Sequence, residues 1–519
     1  MNAASALDVN PPAKTGNAHM DPVNTPASNQ PSLGLATRSC GPARQQAKRG
    51  PRGTMVAVAL GFVVATAQAL EPPPTELWIA AEAPVYGDGS SAEQPLDGSS
   101  ATRLERVLDE LYARHGDFGP GLRLRFLPGA YETGGIALRP NWWIEGAGME
   151  QTVLRRVATE RDRRFRASYY RLISGGWEPQ QDADGARLEA RDYRNLRVAD
   201  LTLDANWTGL KEALGPPVKK ASGLALLCRE AEIARVKVVH YGAYGGRPSW
   251  QEVFPIMVVS MPTDPAGGKG YESSVIEIHD CVVEGPVEGP RRAVASGYAT
   301  GILVGHRDAN PATHRVDVRV HHNEVRDLTN GMAFGGAYVR SAVFEHNRAV
   351  RCNGGFNFDT GGNQDVTIRH NEFLDCVSGG NIVFGARFLI ESNLFRIPYD
   401  VPGEAAAWNH ALRIRDLTRS FEIRNNRLEV PPETVPNPLA RTLGIYVYGT
   451  GIGFEWQREG DAWRLLMRRH VIADNSIDPV LVNRAVPTKP GDWMYLHIDG
   501  RDLNLSGEDG VGDGASYEW

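Results

Sequence analysis

The chain has 519 residues, 42% apolar and 23% charged, with a net charge of −6. Such a composition excludes a wholly disordered chain and an integral membrane protein, and the acidic balance excludes a general nucleic-acid binder. With 56 Gly and 34 Pro, turns should be frequent and long helices few.

The first segment differs from the rest. Residues 1–54 carry six basic and two acidic side chains, and residues 55–69 carry none, which leaves −10 on the remainder. Residues 1–54 read as a disordered basic leader, or as the product of a start placed upstream of Met20 or Met55. Residues 55–69, MVAVALGFVVATAQA, follow Lys48, Arg49 and Arg52 and end in Ala-Gln-Ala. This pattern predicts a signal peptide cleaved after Ala69 and a secreted or periplasmic protein with no membrane span once it is removed. A buried strand or an uncleaved anchor is the alternative.

In the mature chain, residues 70–160 read as an N-terminal capping region, 161–480 as the main body and 481–519 as a C-terminal cap or tail. A helix is expected over 102–115, with Thr102 and Glu105 as a capping box, Leu104, Val107, Leu108, Leu111 and Tyr112 on one face, and Gly116 at its end. Short strands should follow over 122–131 and 146–156, and only strands and turns after about residue 196.

An internal repeat decides the fold. Six segments run apolar-x-x-Asn: VRVHHN, VFEHN, VTIRHN, FLIESN, FEIRNN and VIADN, ending at Asn323, Asn347, Asn371, Asn393, Asn426 and Asn475. The spacings are 24, 24, 22, 33 and 49 residues. Weaker copies end at Asn206 and at Cys281. Between them lie Gly-started strands such as GILV, GMAF, GFNF and GIYV. A coil therefore holds two strands and a third just after each Asn. Hairpin turn signals are scarce, so each strand should pair with its counterpart one coil on. The expected fold is all-β: a right-handed parallel β-helix, capped by the helix. Stacked coils lie about 4.8 Å apart, so the Asn side chains should bond along the stack. Cys352 and Cys376, each five residues after an Asn, should be stacked buried thiols, with a disulfide as the alternative.

With YGDGSS (86–91), LPGAY (127–131), GAGMEQTVL (146–154) and the Asn coils, the chain resembles the pectin lyase-like superfamily. The resemblance covers roughly 76–480 and implies a β-helix. The superfamily spans polysaccharide lyases, hydrolases, epimerases and non-catalytic surface proteins. The Asn-Thr-Asp, Asp-Asp and Gly-His-Gly of polygalacturonase-type hydrolases are missing, with Asn357-Phe358-Asp359 a poor echo. Ile278-His279-Asp280 does not replace the Asp-Pro-His-Asp of mannuronan epimerases.

Alternation in the Gly-started strands places Ile302/Val304, Met332/Phe334, Phe356/Phe358, Ile382/Phe384, Leu412/Ile414 and Ile445/Val447 inward. Leu303, Ala333, Asn357, Val383, Arg413 and Tyr446 then face out, followed by Gly305, Gly335, Asp359, Gly385, Arg415 and Tyr448. His306, Arg387, His410 and Asp416 stand beside this strip. It reads as a sugar groove. Asp359, Arg413, Arg415 and Asp416 are the catalytic candidates. Asn357, Arg387, His410, Tyr446, Tyr448 and His306 are the binding candidates. The two Tyr would stack on sugar rings, the Arg pair would hold carboxylates or sulfates, and the Asp pair would act as acid and base or bind Ca²⁺. A solvated face with ordinary ion pairs is the alternative.

Three other groups stand out. His321, Glu345, Arg369, Glu391 and Arg424, and Asp327, Arg351 and Asp375, alternate in charge and read as structural ladders. His322, His346 and His370 form a column that suggests a metal, although a straight column converges poorly on one ion. His240, Tyr244 and Arg247 carry lyase-type groups, or belong to a Gly-rich turn. The expected function is a monomeric polysaccharide-binding protein. A lyase acting on a uronate polymer leads, with a glycoside hydrolase or a non-catalytic carbohydrate-binding or envelope protein as the alternatives.

Overall fold

Three short strands and the corners between them make one coil. The computed structural model describes residues 70–518 apart from 116–120, 165–166, 168, 177–192, 217, 244–251, 261–273, 286–298, 307–315, 329–330, 360–362, 384, 398–409, 416–417, 432–442, 450–453, 460–461, 468–469, 488–492 and 507–516. The leader and the signal-like segment lie outside the described residues. In one coil Arg340–Glu345 leads to Asn347, Arg348–Val350 follows, and Gly354–Phe358 completes the turn. The third strand expected after each Asn is therefore present. Pairing from coil to coil is parallel and in register: Val318, Ala342, Val366, Phe388 and Phe421 fall on one line. Crossovers between parallel strands of one sheet are right-handed in nearly all folds, and the described residues form a right-handed parallel β-helix.

Among the described residues, strands on both sides of each Asn belong to a 24-stranded sheet, and the Gly-started strands belong to a second sheet of 13. The apolar side chains of both sheets meet in one core, with Phe344, Phe356, Phe358, Phe373 and Phe395 packed ring to ring. Parallel pairing runs from Glu76–Ala80, beside Leu122–Phe126, to Trp493–Ile498, beside His470–Ala473. Coils thus extend beyond 161–480 at both ends. Arg501–Ser506 then folds back antiparallel on Trp493–Ile498.

All six repeat Asn form one ladder. Each Asn Nδ2 donates to the Oδ1 of the next, at 2.9 Å from Asn323 to Asn347, 3.0 Å to Asn371, 2.9 Å to Asn393, 3.0 Å to Asn426 and 2.9 Å to Asn475. The same Oδ1 atoms accept the backbone N–H of the preceding ladder Asn. Cys281 occupies the position before Asn323, whose Oδ1 accepts its N–H at 3.0 Å. The residue ahead of each ladder position (Asp280, His322, His346, His370, Ser392, Asn425, Asp474) is left-handed, with φ between 54° and 56°. That conformation costs a non-Gly residue about 1–2 kcal/mol, which the ladder bonds offset.

Asn206 is not a rung. Register puts Val236 and Leu201 at the Cys281 position, and Asn206 instead precedes a helix, Trp207–Leu214, in a stretch expected to hold only strands. Leu210 and Leu214, four apart, bury that helix's apolar side. The long helix spans Ala101–His115, with Leu104, Leu108 and Leu111 in the core. Its cap is not Thr102: Ser100 Oγ accepts the Arg103 N–H at 3.3 Å, so the helix starts earlier and position three carries Arg103 rather than Glu105. Gly116 lies outside the described residues. Cys352 and Cys376 are buried and unbridged, and burial with the neighbouring Cys376 thiol pushes the Cys352 thiol well up.

The charge ladders are ion-paired as expected. Glu345 meets Arg319 at 3.0 Å and Arg369 at 2.7 Å, Arg424 meets Glu391 at 3.1 Å, and Arg351 meets Asp327 at 2.6 Å.

Candidate functional site

The outer face of the 13-stranded sheet carries the polar strip, and its register differs from the one read by alternation. Leu303 pairs with Gly335, Gly335 with Asn357, Asn357 with Asn381, Asn381 with Arg413, Arg413 with Tyr446 and Tyr446 with Arg484. Ala333 is not on this line. It is fully buried beside Gly301, two positions earlier. Met332 likewise aligns with Thr300, so the inward pair of this coil is Phe334 and Gly336. In the next coil the inward residue is Ile382, opposite Phe358, so Asn381 and not Val383 follows Asn357. The side chain of Phe384 lies outside the described residues. The second line runs through Gly305, Ala337, Val383, Arg415 and Tyr448. Asp359 sits on it, one position past the Phe358–Ile382 pair. Gly335 and Gly385 do not.

Buried Phe358 turns both of its neighbours outward, which brings Asn357 and Asp359 together. Asn357 Nδ2 donates to Asp359 Oδ2 at 2.9 Å, and Asn381 Nδ2 donates to Asn357 Oδ1 at 2.7 Å. Asp359 itself is exposed. Two strands further, the guanidinium groups of Arg413 and Arg415 lie 5.1 and 5.2 Å from the centre of the Tyr448 ring. Arg413 is buried, donates to the Tyr448 hydroxyl at 3.4 Å, and is held below its usual pKa by that burial and by Arg415. Tyr446 stacks on Tyr448, with centroids 5.2 Å apart and planes 5° apart. The Tyr448 ring is thus engaged by protein groups, and its hydroxyl is the part that lies among the charges.

Two expected members do not join the strip. Arg387 lies on the other sheet, in Ala386–Glu391, where Nε and Asp365 Oδ1 are 2.5 Å apart and Nη2 and Oδ2 2.7 Å. It continues the structural pairing there. His410 is buried, 2.9 Å from the Ser378 hydroxyl. His240, read as part of a separate patch, follows the strand Glu230–Val239 of the larger sheet, with Nδ1 2.9 Å from Asp204 Oδ1. Asp416, Tyr244, Arg247 and the side chain of His306 lie outside the described residues.

Sequence reading missed Asn381 and Arg484, because it misplaced the strand starts. It also missed a polar cluster further down the same sheet. Tyr169 pairs with Lys220, and Ser222 with Arg171. Lys220 donates to the Glu252 carbonyl at 2.5 Å, and Thr300 donates to the Glu252 carboxyl at 2.6 Å. Arg171 and Lys220 stand 4.4 and 5.6 Å from the Tyr169 ring. Burial raises the Glu252 carboxyl above the usual range. The Thr300 bond opposes this, and the charge of Asp359 adds to it. Glu252 follows the HYGAYGGR patch by five residues, so the patch was a near signal. The same sheet carries a separate apolar cluster of Ala225, Leu227, Met257 and Val259, with Leu303 packed against it.

No three His, Cys, Asp or Glu side chains among the described residues form a metal-binding group. No described helix is long and apolar enough to cross a membrane.

Neither a family model nor a curated protein matches the sequence. Solved structures do. The A-module of mannuronan C-5 epimerase AlgE4 from Azotobacter vinelandii is 15% identical over 77% of this chain and 95% of its own, with a TM-score of 0.36. The DFA-IIIase of Arthrobacter chlorophenolicus A6 is 12% identical over 78% and 84%, with a TM-score of 0.41. The surface adhesin PfbA of Streptococcus pneumoniae is 10% identical over 76% and 99%, with a TM-score of 0.37. At these identities the likeness is one of fold alone.

Proposed function

We propose that the chain is an exported, monomeric polysaccharide-active protein whose 13-stranded sheet binds a uronate-containing polymer and cleaves it by β-elimination. The observation that carries this reading is the pair Arg413 and Arg415 held together on Tyr448. Two adjacent cations on one ring repel each other, and a carboxylate relieves that repulsion through charge-assisted bonds. Neutralising the uronate carboxylate also makes its α-proton more acidic. Asp359, oriented by Asn357, takes that proton from C5. The electron pair forms the C4–C5 double bond, the C4–O bond breaks, and the leaving oxygen takes a proton from the Tyr448 hydroxyl. Incubation with pectic, alginate and glycosaminoglycan polymers tests the reading. Ultraviolet absorbance of unsaturated uronate must rise with reducing ends, and reducing ends without it would overturn elimination.

Glu252 favours a second reading, hydrolysis. A carboxyl raised by burial, with the charge of Asp359 contributing, suits a general acid paired with an ionised carboxylate. Here Glu252 protonates the glycosidic oxygen, and Asp359 activates water or attacks the anomeric carbon. New reducing ends without unsaturation mark this reading. Binding without products marks a carbohydrate-binding protein that uses the same face.

A further inference from the structure

Away from the strip, the corners of the larger sheet carry an array of imidazoles. His322, His346 and His370 are exposed and stack at 5.0 and 5.2 Å. Beside the first of them stands His321. Its Nδ1 lies 2.9 Å from His322 Nδ1, and its Nε2 lies 3.0 Å from Glu277 Oε1.

We propose that His321 and His322 form a two-ligand site for a divalent transition-metal ion of tetragonal preference, copper(II) or nickel(II). Glu277 accepts the His321 Nε2–H, which leaves the Nδ1 lone pair free to bind, as a carboxylate behind a metal-ligating histidine does. In the metal-free protein His322 donates its Nδ1–H to that lone pair. On binding, His322, an exposed residue, moves its proton to Nε2, so both Nδ1 atoms become donors to the metal with no net loss of a proton. Two nitrogens about 2.0 Å from an ion and at right angles to each other are about 2.8 Å apart, whereas tetrahedral zinc separates them by about 3.3 Å, so the 2.9 Å pair lies nearer the tetragonal value. No third His, Cys, Asp or Glu among the described residues completes such a group, so water fills the other positions. The stacked His346 and His370 present their rings in a column and do not converge on the same point.

Calorimetric titration of the chelator-treated, purified protein with copper(II) tests the site, together with the nitrogen hyperfine pattern of bound copper. One equivalent should bind with two imidazole nitrogens. His322→Asn, tolerated at this left-handed corner (φ 56°), should weaken binding by at least about tenfold. Glu277→Gln should weaken it by about 10–100-fold, and His370→Asn should leave it unchanged. Absence of binding, unchanged affinity in His322→Asn, or an equal loss in His370→Asn would each overturn the proposal. Unchanged melting temperatures exclude misfolding as the cause of any loss.

Discussion

Asn381 donates its side-chain amide to Asn357 Oδ1 at 2.7 Å, and Asn357 passes its own amide to Asp359 at 2.9 Å. Two neutral side chains thereby fix the direction of an exposed carboxylate. If Asp359 is the base, Asp359→Asn should lower turnover by at least about 100-fold and leave the melting temperature almost unchanged, because exposed substitutions cost little. Asn381→Ala should lower kcat by a smaller factor with little change in KM, since it disturbs orientation alone. Steady-state kinetics with thermal melts checks both. Full activity in Asp359→Asn removes that residue from the site.

Arg413 and Arg415 make a different prediction, because they bind before they react. Arg415→Gln should raise KM for an acidic polymer by roughly tenfold, the worth of one charge-assisted bond, and should flatten the salt dependence of binding. The same change relieves repulsion on Arg413. Binding isotherms at low and high salt are the measurement. An unaltered isotherm would place the substrate elsewhere.

The Asn ladder predicts a stability effect with no effect on the strip. Asn371 Oδ1 accepts both the backbone N–H and the side-chain amide of Asn347, at 2.9 and 3.0 Å, and Asn371 Nδ2 donates to the Phe344 carbonyl at 2.9 Å. Asn371→Leu strands these buried partners. The expected loss is about 2–4 kcal/mol, seen as a lower urea midpoint with an unchanged slope.

These two regions also show what the sequence can disclose. The ladder was legible because the same residue type recurs at one place in every coil, and each rung needs an Asn to bond the next. The sheet that bears the strip has no such marker. Alternation sets inside from outside within a strand, but not which residue of the next coil lies opposite. Met332 and Phe384 looked like core residues, and each moved its coil's assignment by two positions. Asn381 was lost in that shift. Arg387 was placed by nearness in sequence, which a corner of the coil overrides, and His410 begins the strand of Arg413 but is buried in phase with Leu412 and Ile414. Glu252 needed the third dimension, since Thr300, Lys220 and Asp359 reach it from three other coils.

His470 predicts how the fold responds to acid. Its ring is fully buried, stacks on Phe421 at 4.2 Å, and accepts the Phe421 N–H through Nδ1 at 3.2 Å. Burial lowers its pKa from 6.5 to about 3. Between these values the unfolded chain binds a proton that the folded chain refuses. Its contribution is therefore complete above the unfolded value and declines as pH falls, by at most about 1.4 kcal/mol per pH unit. Most carboxylates titrate lower, so the effect should be separable between about pH 7 and pH 5.5. His470→Gln keeps an acceptor for Phe421 and cannot titrate. Its unfolding free energy should change less across that interval than that of the natural protein. Parallel urea titrations of the two proteins at both pH values measure the difference, and equal pH slopes would show that His470 is already protonated or hydrated in the fold.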